Sequence, residues 1–293
     1  VPGYDRHFAI TEHFGFELVP VKMNDDGPDM DEVEKLIKDD KVKGIWCVPK
    51  YQNPMGIVFS DEVVRRFAHL KPAAEDFRIF WDNAYCVHNF DGECAEIPDI
   101  IEECQKAGNA DLVYEFCSTS KITFPGAGIS AVASSPANLI DLKAFLKYAT
   151  IGPDKLNQLQ HARFFKSSAG LRLHMKKHAS ILKPKFDAVY ETLDRELGDS
   201  GIADWTKPTG GYFLSFNTMP GCASKVVKMC ADCGVKFTPA GSTYPHGIDP
   251  EDRNIRLAPS FATVEEITKA ITILSLCTKI VTIEKMLKES DPA

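Results

Sequence analysis

Short apolar runs alternate with amphipathic segments along the first half of the chain, and this alternation constrains the fold more than any other feature. The runs at 15–21, 44–48 and 78–81 have the length of buried strands, whereas 29–37 and 60–67 carry apolar residues at helical spacing. Strands and helices in alternation predict parallel βαβ units with right-handed crossovers. We therefore expect an α/β fold with a mostly parallel sheet sandwiched by helices.

Polar residues mark where several of the helices should begin. Asp29 and Ser60 each precede an apolar-periodic segment and are predicted to be N-caps. Thr263-Val264-Glu265-Glu266 matches the capping box, which predicts a long terminal helix that reaches about Lys288.

A second region is expected to begin near residue 171. The stretch 171–197 favours helix, although Pro184 should kink or interrupt it. Strands at 210–216, 235–238 and 254–257 and a helix at 223–233 follow. We therefore predict a large domain over residues 1–170 and a smaller C-terminal α+β domain over 171–293.

Three polar residues follow the predicted strands of the first region. Asn53 lies in Asn53-Pro54-Met55-Gly56, Asp82 directly follows an apolar run, and Lys121 follows the run 111–116 and a hydroxyl-rich turn. Ligands of parallel sheets bind at the carboxyl ends of the strands. A lysine placed there, beside hydroxyls able to hold a phosphate, suits a Schiff-base cofactor site. Taken singly, Asp82 could equally be a turn former and Lys121 a surface lysine.

The order of the motifs is more specific than any one of them. Asn-Pro-x-Gly, Asp-x-x-Tyr, Ser-x-x-Lys and a late Ile-Arg-Leu together resemble the pyridoxal-phosphate (PLP) enzymes of the aspartate aminotransferase fold, fold type I. The run Ser-Lys-Ile-Thr-Phe-Pro-Gly-Ala-Gly looks like the branch grouped with MocR-like sequences. The resemblance implies that Lys121 would form a Schiff base with PLP and that Asp82 would pair with its pyridine nitrogen. It also implies that Asn53 and Tyr85 would hydrogen-bond the phenolic oxygen of PLP and that Ser118 and Ser120 would hold its phosphate. By the same resemblance Arg256 would hold the substrate α-carboxylate, and Asn53 would also contact the substrate.

The residue types suit these implied roles. A nearby anion such as Asp82 keeps the pyridine nitrogen protonated, so that the ring withdraws electrons. The positive ring and partial burial should lower the pKa of Lys121. Arg256 lies between Ile255 and Leu257, so alternation along a strand places it on the opposite face. It could form a salt bridge or bind a carboxylate with both arms of its guanidinium.

The sequence departs from the family pattern after the lysine. Many relatives have Pro-Gly-x-Arg there, and the arginine contacts the phosphate; this chain has Gly128 in that position. Backbone amides, hydroxyls or a residue of a partner subunit must then substitute. The chain opens on Val1-Pro2-Gly3-Tyr4 without a methionine, so we expect the family's upstream phosphate loop and ring-stacking aromatic to precede it.

Charge and cysteine content narrow the function classes. A formal net charge of −7 argues against general nucleic-acid affinity. No apolar stretch approaches the ~20 residues of a membrane span. Nine cysteines, an odd number, are scattered along the chain and do not outline a small disulfide-bonded scaffold. This distribution favours a reducing compartment, the cytoplasm. Cys230-x-x-Cys233 lacks a second pair and His88, His161 and His246 lack ligand spacing, so we expect no metal site.

The sequence therefore predicts a PLP-dependent aminotransferase that acts on an α-amino acid and a 2-oxo acid. The branch resemblance favours aspartate or glutamate, and the family implies a homodimer. Three alternatives remain open: a PLP-dependent lyase or decarboxylase, the PLP-binding half of a MocR-type transcription regulator, and a non-catalytic fragment.

Overall fold

A computed structural model describes residues 1–92 and 95–290. Its helices are α1 Asp5–His13, α2 Met30–Leu36, α3 Asp61–Ala68, α4 Ile100–Lys106, α5 Pro136–Ala149, α6 Lys155–Phe165, α7 Ser168–Leu197, α8 Ala223–Asp232 and α9 Val264–Ser290. Its strands are β1 Met23–Asn24, β2 Gly27–Pro28, β3 Gly44–Cys47, β4 Arg78–Asp82, β5 Val113–Ser118, β6 Ser130–Ser134, β7 Ala203–Trp205, β8 Leu214–Thr218 and β9 Asn254–Leu257.

The chain forms two compact units. The central unit comprises Val21–Lys50 and Ile57–Lys177. The terminal unit comprises Val1–Pro20, Tyr51–Gly56 and the residues from His178 onward. The domain boundary between residues 170 and 171 stays a prediction.

The central unit is built on a four-stranded sheet in the order β3-β4-β5-β6. The first three strands are parallel and β6 is antiparallel. The α-helix α3 lies between β3 and β4 in the chain, and α4 lies between β4 and β5. The predicted mostly parallel α/β architecture is therefore confirmed.

Aromatic side chains dominate the core of this unit. Phe59 and Phe67 each meet the ring of Trp81 edge-on, with centroids 5.7 and 5.6 Å apart. All three are fully buried or nearly so. Burying a side chain such as Phe67 stabilises the fold by roughly 1.5–3 kcal/mol, so these rings fix α3 against β4 and hold the end of β4 in place.

The helix starts follow the predicted caps. The Asp29 carboxylate accepts hydrogen bonds from the backbone amides of Asp31 and Glu32, and Ser60 accepts one from Val63. Such caps satisfy otherwise unpaired amides and contribute about 1 kcal/mol each. Both predictions are confirmed.

The terminal unit contains the antiparallel sheet β7-β8-β9. Strand β9 carries Arg256 opposite Ser215 of β8. Helix α9 begins with the predicted capping box: Glu266 donates its amide hydrogen to Thr263 Oγ1 (3.2 Å), and its carboxylate accepts the Thr263 amide (2.8 Å).

Three local predictions were wrong. No strand covers 15–21, where Phe16 and Val19 are more than half exposed. Residues 235–238 are also irregular, and the Val235 amide instead donates to Cys230 C=O at the end of α8. Helix α7 is continuous across Pro184, so an interruption there is excluded, whereas a kink stays a prediction. Burial of Phe186 on the same helix offsets the ~3 kcal/mol that an internal proline costs.

Neither membrane spans nor metal clusters are found in the described ranges. Among residues 1–92 and 95–290, no helix combines the length and apolarity needed to cross a bilayer. The same ranges contain no group of three or more potential metal ligands. The eight cysteines within them are free thiols.

Candidate active site

Lys121 lies in a tight turn between β5 and β6. The amides of Ile122 and Thr123 both donate to the Thr119 carbonyl, at 2.9 and 2.8 Å. We call residues 119–123 the lysine turn. These bonds fix the backbone on both sides of Lys121 and direct its side chain from the end of the sheet.

The Lys121 amine is half-buried in the central unit. Its Nζ lies 4.4 Å from the centroid of the Tyr85 ring, and Tyr85 itself is buried. Burial lowers the pKa of Lys121, and the negative charge of Asp82 acts in the opposite direction. Asp82 is the last residue of β4 and pairs in register with Phe116 of β5. The amine therefore loses its proton more readily than an exposed lysine.

Ser118 and Ser120 are hydrogen-bonded to each other. Ser118 Oγ donates to Ser120 Oγ (2.9 Å) and accepts the Ser120 amide hydrogen (3.1 Å). The structure thus places two half-buried hydroxyls side by side, within three residues of Lys121 in the chain.

The same turn accounts for the glycine at position 128. A Cβ at Gly128 would lie 2.5 Å from Ser120 Oγ and 2.8 and 2.9 Å from Ser120 N and Cα. Two of these three are backbone atoms, so no side-chain rotation relieves the clash. An arginine in this position is incompatible with the observed turn, which is a physical reason for the departure from the family pattern.

Arg256 lies in the terminal unit, where its side chain is 12% exposed. One guanidinium nitrogen, Nη1, donates to Asn53 Oδ1 (3.3 Å) and to Asp5 Oδ1 (3.2 Å). The guanidinium carbon lies 5.0 Å from the centroid of the Phe213 ring. Its Nε is buried without a hydrogen-bond partner among the described residues. A salt bridge is therefore present, and part of the guanidinium is left for a further acceptor.

Asn53 is buried beside this guanidinium. Its turn is fixed by Gln52, which accepts the Gly56 amide on its carbonyl and the Met55 amide on its side chain. Asn53 is 1% exposed, and its Nδ2 has no hydrogen-bond partner among the described residues. A buried donor without an acceptor costs about 1–3 kcal/mol, so Nδ2 is suited to an acceptor atom supplied by a ligand.

The residues predicted from the sequence thus fall into two groups. The structure brings Tyr85, Asp82 and the serines into the central unit with Lys121, and it brings Asn53 to Arg256 in the terminal unit. Their individual roles stay predictions. Sequence reasoning missed Asp5 and Phe213 as neighbours of Arg256, because these contacts join distant parts of the chain and have no local motif.

The chain is similar to known proteins in both sequence and structure. An aspartate aminotransferase of Corynebacterium glutamicum is 48% identical over 277 residues, which are 94% of this chain and 64% of that protein. The chain therefore spans less than two thirds of the length of this relative. A crystal structure of an aspartate transaminase from C. glutamicum matches with a TM-score of 0.96 at 47% identity and covers 97% of this chain and 67% of that one.

A more distant structure shows the same fold. An α-aminoadipate aminotransferase of Thermus thermophilus, complexed with N-(5'-phosphopyridoxyl)-L-leucine, matches with a TM-score of 0.82 at 22% identity and covers 96% of this chain and 70% of that one. A family model described as aspartate amino-transferase matches residues 1–290. The chain belongs to the aspartate amino-transferase family.

Proposed function

We propose that the protein is a PLP-dependent aminotransferase that moves an amino group between an α-amino acid and a 2-oxo acid. The observation that carries the proposal is the half-buried Lys121 amine, whose pKa is lowered beside the Tyr85 ring at the end of a mostly parallel sheet. Aspartate or glutamate is the proposed donor. Its support is the 48% identity to a protein named aspartate aminotransferase.

The residues present fit PLP. In the central unit, Asp82 supplies an anion for a pyridine nitrogen. In the terminal unit, the buried Nδ2 of Asn53 is a donor that no protein acceptor uses among the described residues. The hydroxyls of Ser118 and Ser120 would hold the phosphate without an arginine at position 128. When bound, PLP withdraws electrons from the substrate Cα.

Lys121 is the proposed general base and acid. A neutral Nζ can take the proton from the substrate Cα and would then deliver it to a carbon of the cofactor. Burial favours this neutral form, since it lowers the pKa of the amine. The Tyr85 ring limits the positions that Nζ can adopt and so keeps the proton transfer local.

Arg256 is the proposed binding residue for the α-carboxylate. Its planar guanidinium can donate two parallel hydrogen bonds to a carboxylate, a geometry that lysine cannot supply. Asn53 and Phe213 hold the guanidinium from two sides. Asp5 already pairs with Nη1, so an arriving carboxylate would share or exchange this contact.

We also propose that the protein is a cytoplasmic homodimer. Several large apolar side chains of α5 and its flank are exposed, among them Phe145 (68%) and Tyr148 (87%). Several large apolar side chains exposed on one helix support a partner that covers them. Analytical ultracentrifugation of Phe145→Glu tests this: dissociation supports a second copy there, with the equally drastic Phe261→Glu in the terminal unit as the control. An unchanged association constant would count against α5.

The enzymatic proposal is tested at Lys121. Lys121→Ala should abolish transamination and the borohydride-reducible attachment of PLP, whereas Lys228→Ala, at a lysine of α8 whose side chain is 80% exposed, should change neither. Attachment to Lys121→Ala at wild-type stoichiometry would show that another lysine carries the cofactor. Product analysis over a panel of donors separates transfer from lyase or decarboxylase chemistry, which would release ammonia or carbon dioxide without a new amino acid.

A further inference from the structure

Three histidines from three parts of the central unit hydrogen-bond to the lysine turn. His88, which follows β4, donates its Nε2 hydrogen to the Lys121 carbonyl at 3.3 Å. His174 of α7 donates its Nε2 hydrogen to the Ile122 carbonyl at 2.8 Å. Because a carbonyl can only accept, both rings must carry a hydrogen on Nε2. The backbone of the turn is thus held by groups outside it.

His161 of α6 makes the most informative of these contacts. Its Nδ1 donates to the Asn157 carbonyl one turn earlier in the same helix (2.9 Å). That bond leaves Nε2 as the acceptor of the neutral ring, and Nε2 lies 2.9 Å from Thr119 Oγ1 and 3.0 Å from Thr123 Oγ1. The ring is 8% exposed. A buried nitrogen therefore faces two hydroxyls at once.

The two threonines are the first and last residues of the lysine turn. Thr119 Oγ1 also accepts the Ile129 amide (2.9 Å), which leaves its own hydrogen for Nε2. The single hydrogen of Thr123 Oγ1 lies within reach of both Nε2 and the Thr119 carbonyl (3.1 Å). His161 Nε2 thus contacts both ends of the turn, because it accepts from Thr119 and shares the Thr123 hydrogen with the Thr119 carbonyl, and Lys121 lies midway between the two threonines. A shift of this ring would displace the backbone on both sides of the lysine.

We propose that His161 is a positioning residue for Lys121, supported by His88 and His174. It holds the lysine turn in the conformation that buries the amine, and it contacts neither substrate nor cofactor. The inference deepens the proposed function and rests on it, because it assumes that Lys121 is the reactive lysine. The residues that would position the lysine in this way lie outside the motifs found in the sequence.

The test measures the Lys121 amine directly, in the full chain without added cofactor. Competitive acylation across a pH series, read by mass spectrometry of the Lys121 peptide, gives the pH at which this amine becomes neutral. Burial lowers the pKa of Lys121 and so favours its neutral form. Loosening the turn should therefore move the labelling midpoint to higher pH, and amide exchange across 119–123 should become about two- to tenfold faster, the loss of one hydrogen bond.

Four variants make the test specific. His161→Ala and His161→Asn should both move the midpoint upward, because asparagine can replace Nδ1 but does not reach the threonines. His161→Gln places a polar group near the position of Nε2 and should restore the wild-type midpoint. His69→Asn is the matched control, because His69 Nδ1 also bonds to a carbonyl one helical turn earlier (Arg65, 2.8 Å).

An unchanged Lys121 midpoint in folded His161→Ala and His161→Asn would overturn the proposal. If the alanine variant does not fold, the Asn and Gln pair decides: equal midpoints refute positioning through Nε2, and a Gln-specific restoration supports it. Failure of the proposed function has another signature. Lys121→Ala would then still bind PLP covalently, whatever the labelling of the His161 variants shows.

Discussion

Gly128→Ala adds one methyl group at the most crowded point of the lysine turn. The new Cβ would lie 2.5 Å from Ser120 Oγ and within 2.9 Å of Ser120 N and Cα. The serine hydroxyl can rotate away, but the two backbone atoms cannot. The segment around residue 128 or the turn itself must therefore move, although Asn157 Nδ2 holds the neighbouring Ala127 carbonyl at 2.8 Å.

The expected cost is that of overpacking, about 1–3 kcal/mol of unfolding free energy. Gly152→Ala is the matched control, because a Cβ there meets no atom within 4 Å and the backbone angle is ordinary. That substitution should be neutral or stabilise by about 0.4–1 kcal/mol through the unfolded state. Urea unfolding of the two variants isolates the contribution of the contact with Ser120.

The same displacement should weaken PLP binding, because Ser120 would move. Fluorescence titration of PLP into Gly128→Ala and Gly152→Ala measures this. Gly128→Arg supplies the cation that many relatives have, yet it should bind PLP no more tightly than the wild type. Equal stability of the two alanine variants would refute the packing argument, as would tighter PLP binding by Gly128→Arg.

Three further outcomes are expected. Arg256→Ala should reduce kcat/KM for acidic, aromatic and aliphatic donors alike, by a factor that corresponds to about 2–5 kcal/mol of lost binding free energy. Arg256→Lys should restore little of this loss. An unchanged kcat/KM would remove Arg256 from the site. Its unfolding free energy should change by less than about 1 kcal/mol for the ion pair, because Asp5 is 42% exposed. Thr263→Ala should lower the unfolding free energy by about 1 kcal/mol through loss of the capping box, with Thr263→Ser as the control; equal loss in both would implicate packing. Burial lowers the pKa of Lys121 in the folded chain below its ordinary value of 10.5. Between the folded and the unfolded pKa the unfolded chain binds more protons, so the unfolding free energy of the wild type relative to Lys121→Met should rise with pH up to 10.5 in urea titrations. A fall would contradict the burial argument.

Local signals were predictable from the sequence, and pairings were not. Asp29, Ser60 and Thr263 cap helices as expected, because a cap depends on residues only a few positions away. The apolar run at 15–21 resembled a strand but lacks a ladder partner among the described residues, and a strand needs one. Strand β6 was missed because Ser130–Ser134 is short and consists mostly of small residues, with Val132 as its one large apolar side chain.

The candidate site shows the same limit. The ends of β4 and β5 could be read from apolar runs, so Asp82 and Lys121 were found. Arg256 and Asn53 are separated by 203 residues, and the resemblance rather than the pattern suggested both. His161 was given no role, because its contacts with the threonines span 38–42 residues and need the folded turn.

The discontinuity of the terminal unit has a consequence for synthesis on the ribosome. Asp5 of α1 is synthesised 251 residues before Arg256, with which it forms an ion pair. At ~5–20 residues per second this delay is roughly 10–50 s. A helix as short as α1 is marginal by itself in water, whereas the segments of the central unit emerge complete by Lys177. During elongation, α1 must therefore remain unfolded or find a temporary binding surface, such as a chaperone, until β9 leaves the exit tunnel.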